Sequence, residues 1–74
     1  MTKLQAKFGR AVRAEREKKG WSQEFLGSEA GLDRTYVSGL ERGVRNPSLA
    51  TQERIASALG VSLSTLISKA ESEK

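Results

Sequence analysis

Cysteine and histidine are both missing from the 74-residue chain, and each absence removes a class of chemistry. Without cysteine there is no disulfide framework, no thiolate zinc site and no thiol nucleophile. The usual argument for an oxidising compartment also falls away, so the expected location is cytoplasmic. Without histidine the commonest metal ligand is gone, along with the side chain whose free pKa lies nearest neutrality, and acid-base catalysis would rest on shifted carboxylates or lysines. No nucleophile-base pair is visible; the chain reads as a binding protein and not an enzyme, with no cofactor and no metal expected. No apolar run approaches the roughly 18 residues of a transmembrane helix, and no signal-peptide stretch follows the charged N-terminus, so no membrane partner is expected. Length excludes a second domain, since independent domains usually need upwards of about 50 residues. Residues 1–74 are expected to form one domain, with a core too thin for a deep enzyme cleft.

Basic residues are in excess: 13 Lys and Arg against 9 Asp and Glu give a net charge of +4. That balance suits a polyanionic partner such as nucleic acid or an anionic surface, and equally serves plain solubility. The excess is uneven. Residues 1–20 hold Lys3, Lys7, Arg10, Arg13, Arg16, Lys18 and Lys19 against Glu15 and Glu17, whereas residues 21–40 hold Arg34 against Glu24, Glu29 and Asp33.

Apolar residues at Leu4, Phe8, Ala11 and Val12 keep helical spacing, and Gly20 makes a left-handed stop, so a first helix is expected over about 4–19. Ser22 offers an N-cap to a short second helix that points Leu26 and Ala30 inward and ends at Gly31. Asp33 is expected to cap a third from Arg34 to about Arg42, closed by Gly43. Two short helices with a three-residue joint containing glycine are the mark of a helix-turn-helix. Pro47 disfavours a helical Asn46, so the next stretch is a loop. Ser48 then caps a fourth helix carrying Leu49, Gln52, Ile55, Ala56 and Leu59 to Gly60, and Ser62 a fifth carrying Leu63, Leu66, Ile67 and Ala70. Residues Glu71 to Lys74 are expected to fray. Nothing reads as strand or repeat; the fold class is all-α, a five-helix bundle.

On a helical wheel the third helix divides into an inner arc of Tyr36, Val37 and Leu40 and an outer arc of Arg34, Thr35, Ser38, Gly39 and Arg42. Arg can donate paired hydrogen bonds to guanine, and Thr can meet the thymine methyl. A polar outer face is common to amphipathic helices, so the wheel alone assigns no function.

The string Ser22-Gln23-Glu24, Leu26, Gly31 through Gly43, then Asn46-Pro47-Ser48 resembles the helix-turn-helix family of phage Cro and repressor proteins, over about residues 8–66. Within it, Leu32-Asp33-Arg34-Thr35-Tyr36-Val37-Ser38-Gly39-Leu40-Glu41-Arg42 looks most like the controller proteins of restriction-modification systems. The resemblance implies a phage-repressor-type bundle, and a homodimeric transcription factor on double-stranded operator DNA that activates at low occupancy and represses at high, with an RNA polymerase contact. It implies that Arg34, Thr35 and Ser38 read base edges, while Gln23, Arg42, Arg45, Asn46 and Ser48 grip the DNA backbone. Tyr36 is ranked first as a further backbone contact, against core or base-facing roles. Arg16 and Glu41 match a paired arginine and glutamate that tie the first helix to the end of the third. An antitoxin or phage-type repressor that binds a protein partner is the alternative.

Some positions depart from the family pattern. Gly27, where alanine is usual, points to tight packing or a soft helix. Phe25, where a polar residue is usual, packs under the first helix or joins an exposed patch. Gly39 removes a side chain from a position often used for base reading. Glu24 orients Arg34 or simply complements the helix dipole. Leu63, Leu66 and Ile67 are expected at a dimer interface because the small core is already supplied by other residues; the alternative cover is their own domain.

Overall fold

A computed structural model describes residues 3–73, which form five helices in the order α1 (Lys3–Lys18), α2 (Gln23–Ala30), α3 (Arg34–Glu41), α4 (Leu49–Leu59) and α5 (Leu63–Glu71). Local chemistry sets most boundaries. The hydroxyls of Ser22, Ser48 and Ser62 accept the backbone N–H of Phe25, Thr51 and Thr65, satisfying donors that the first turns of α2, α4 and α5 leave free. Asp33 departs from expectation: it sits at the N-cap of α3 with extended backbone but makes no side-chain cap bond. Its carboxylate instead accepts the Thr35 hydroxyl at 2.7 Å. Gly31 adopts φ 70° between α2 and α3, a left-handed conformation open to glycine at little cost, and this turns the chain sharply enough to set the two helices against each other.

All five helices feed one core. Phe8, Ala11 and Val12 of α1 meet Leu26 and Ala30, Val37 and Leu40, Ile55, Ala56 and Leu59, and Leu66 and Ala70. Two leucines in the expected apolar stripes lie outside it: Leu4 is 47% exposed and Leu49 is 71% exposed, each at the first turn of its helix where little packs over it. Leu66, expected at a dimer interface, is the opposite case. It is fully buried against its own domain, so it cannot be a contact between chains.

Helix α5 is held to α1 by charge as well as by Leu66 and Ala70. Lys69 donates to Glu15 at 2.9 Å, and Arg10 pairs with Glu73. The Lys69 hydrogen bond keeps the Glu15 carboxyl below its ordinary pKa even though burial opposes the charge. The tail therefore does not fray as a whole: Glu71 is helical and Glu73 is engaged, while Lys74 lies outside the described residues.

Candidate nucleic-acid interface

The α2 and α3 helices and the loop after α3 carry most of the residues expected to meet DNA. Arg34 and Thr35 are exposed on the first turn of α3, and Ser38 follows one turn on, half-buried. Thr35 gives its proton to Asp33, so toward a groove it offers oxygen lone pairs and a methyl group. That hydrogen bond is also the largest reason the Asp33 carboxyl sits below its usual pKa. Arg34 offers a fork of donors. A guanidinium, an acceptor and a methyl on one helical turn is a surface able to distinguish base edges.

Behind this surface lies a buried polar network. Arg16 donates to both carboxylate oxygens of Glu41, Nε to Oε2 at 2.7 Å and Nη2 to Oε1 at 3.0 Å, and its Nη1 donates to the Trp21 carbonyl at 2.6 Å. The hydrogen-bonded Glu41 carboxylate raises the Arg16 pKa further above its ordinary value. Gln23 completes the network, its Nε2 donating to Glu41 Oε1 at 3.0 Å. An amide nitrogen carries two protons, so one holds Glu41 and the other is not spent on it. Glu41 thus fixes the end of α3 to α1 and the first residue of α2 at once.

Three residues help set the angle of α3, two of them, Gly9 and Arg54, without any signal in the sequence. A Cβ at Gly9 would stand 2.3 Å from the Leu40 carbonyl oxygen, so only glycine lets α1 approach the end of α3. Gly27 meets the Leu32 carbonyl in the same way at 2.5 Å, which resolves its departure as tight packing. Arg54 of α4 donates to the carbonyls of Ala30 (3.1 Å) and Gly31 (3.0 Å), pinning the turn between α2 and α3 from behind. Gly27 was legible as an oddity; Gly9 and Arg54 had no local signal, because their partners are far away in sequence.

The other expected contacts divide. Arg42, Arg45 and Asn46 are exposed after α3, and Arg45 lies over the ring of half-buried Tyr36, 5.5 Å from its centroid. Ser48 is exposed at the N-cap of α4, where its hydroxyl accepts Thr51 N–H and donates to Thr51 Oγ1 at 3.0 Å. Gly39 lies on the outer arc but is covered there by the side chains of Arg45 and Val44. Phe25 is 46% exposed and packs edge-on against Trp21, with centroids 4.8 Å apart. Glu24 is exposed and forms no ion pair with Arg34 among the described residues. Leu63 and Ile67 are half-buried, and Ile67 lines a surface groove of about 200 Å³ with Leu4, Phe8, Pro47 and Gln52. No described helix is long and apolar enough to cross a membrane.

Two short helices joined by a left-handed glycine, the second showing a polar arc fixed by a buried ion pair, define a helix-turn-helix DNA-binding domain. A family model described as helix-turn-helix matches residues 12–66. Control protein C.MunI of a Mycoplasma species is 42% identical over 74 residues, 99% of this chain and 100% of that one. The solved restriction-modification controller protein C.AhdI from Aeromonas hydrophila superposes with TM-score 0.80 at 48% identity, over 82% of this chain and 92% of its own. Wild-type controller protein C.Esp1396I superposes with TM-score 0.87 at 32% identity, over 100% and 99%. The chain belongs to the helix-turn-helix family, among its restriction-modification controller proteins, a family of DNA-binding transcription regulators and not of enzymes.

Proposed function

We propose that the chain works in the cytoplasm as a homodimer on a palindromic operator in a restriction-modification operon, activating through RNA polymerase at low occupancy and repressing its own gene at high. Arg34, Thr35 and Ser38 read base edges. Gln23, Tyr36, Arg42, Arg45 and Asn46 hold the backbone. The observation that carries this reading is the exposed first turn of α3, locked by the Arg16–Glu41–Gln23 network so that its side chains meet a groove at a fixed angle. A groove-reading helix uses its N-terminal residues, and two-fold symmetry places a second copy about 34 Å away.

Selection of tight-binding duplexes from a random-sequence pool tests it. The expected product is a palindrome whose half-sites lie one helical turn apart; a pool that never enriches, or enriches single half-sites only, overturns the reading. On the selected duplex, Arg34→Ala is expected to weaken binding by about 1 to 3 kcal/mol and to relax preference at one base pair per half-site. Equal losses on selected and random DNA would make Arg34 a phosphate ligand instead. Arg45→Ala is expected to weaken binding evenly across sequences and to lower the slope of log affinity against log salt by roughly one. An unchanged slope would remove Arg45 from the backbone contacts.

A further inference from the structure

Helix α3 ends in a tight reversal. Gly43, at φ 79°, donates its N–H to the Leu40 carbonyl at 3.0 Å, and Val44 donates to the Gly39 carbonyl at 2.9 Å. This paired closure of the last turn sends the chain back across the helix it has just left. The carbonyl of Arg45 is then held by Gln5 Nε2 at 2.9 Å, which fixes the backbone from which that side chain departs. From there the Arg45 side chain crosses directly over Gly39. A Cβ added at Gly39 would lie 3.0 Å from Arg45 Cγ, 3.1 Å from its Nε and 3.4 Å from Val44 Cγ2. The guanidinium comes to rest over the Tyr36 ring, one turn nearer the start of α3, beside the turn that carries Arg34 and Thr35. Arg45 is exposed and forms no ion pair among the described residues, so its charge is free for an external anion.

We infer that Gly39 is a positioning residue for DNA binding: its missing side chain is the seat across which Arg45 lies, so that the Arg45 guanidinium reaches the edge of the base-reading turn already ordered. The inference rests on the DNA-binding reading above and assigns Gly39 a part that neither base contact nor helix packing would give it. A long side chain that is already held loses less rotamer freedom when a phosphate binds. Glycine in a helix interior ordinarily weakens the helix, and Gly39 has no positive φ to require it. What it offers is the space that Arg45 fills.

The test is a double-variant cycle on the duplex selected by the wild-type chain, combining Gly39→Ala with Arg45→Ala, each protein also followed by thermal unfolding. Gly39→Ala is expected to have a Tm equal to or above that of the wild type, because Arg45 can swing away and alanine favours the helix. It is nevertheless expected to bind more weakly, approaching the loss seen for Arg45→Ala. In the Arg45→Ala background it is expected to cause no further loss, since it acts through Arg45. Equal losses in both backgrounds would mean that residue 39 itself faces the DNA, and would overturn the inference. So would undiminished binding by Gly39→Ala, or a lowered Tm with binding intact. A wild-type chain that selects no duplex sinks the DNA-binding reading instead, which separates the two failures.

Discussion

Glu41→Ala is expected to remove most of the stability of this domain. The Glu41 side chain is 3% exposed and that of Arg16 is 10% exposed, and they are joined at 2.7 Å. Removing the carboxylate strands a guanidinium that has little access to water and two fewer acceptors, which costs about 3 to 5 kcal/mol. Folded domains have only about 5 to 15 kcal/mol in total, and a chain this short belongs toward the lower end. At the sensitivity usual for domains of this size, the expected fall in Tm is about 12 to 40 °C. Gln23 also loses its acceptor, so both ends of the helix-turn-helix loosen together. Circular dichroism melts give the number; a fall of only a few degrees would mean that water reaches Arg16 and that the network is not a buried one. A double variant lacking both charges is expected to recover part of the loss, because the penalty comes chiefly from the charge left alone.

The helices were legible because their ends are written locally. Ser22, Ser48 and Ser62 each stand three residues before the N–H they accept, and Gly31 and Gly43 stand where the chain must turn left-handed. Asp33 shows the limit of that reasoning, since a nearby hydroxyl competes with the cap and wins. A helical wheel says which side a residue leaves from, but not what arrives to cover it. Gly39 does leave on the outer arc, yet a loop residue six positions later lies over it. Leu4 and Leu49 keep apolar spacing at helix starts that little covers, and Leu66 looks surplus in the sequence only because the depth of the α1–α5 contact is not visible there. Arg54 is the plainest case: its carbonyl partners lie 23 and 24 residues away, beyond the reach of any local pattern.

Ile67→Asp and Leu66→Asp, neighbours in sequence, are expected to fail in opposite ways. Leu66 faces the core at zero exposure, on a helix already fastened to α1 through Glu15, Lys69, Arg10 and Glu73, so an aspartate there buries an unpaired charge and unfolds the chain. Ile67 lies half-exposed on the groove edge beside Leu4, Phe8 and Pro47. An aspartate at Ile67 stays hydrated, leaves the inner face of α5 intact, and sets two like charges near each other wherever that edge meets its own symmetry mate. The Ile67→Asp chain is therefore expected to keep its helical signal and a cooperative melt while sedimenting as a monomer. One chain carries one recognition helix, and losing the linked second half-site is expected to lower affinity for the full palindrome by about 10²- to 10⁴-fold, the usual gain from joining two binding events. Sedimentation equilibrium at micromolar concentration, paired with titration of the selected duplex, decides the matter. A wild-type chain that stays monomeric and still binds the whole palindrome tightly in a single non-cooperative step would show that the Ile67 edge is not where two copies meet, and that the half-sites are filled independently.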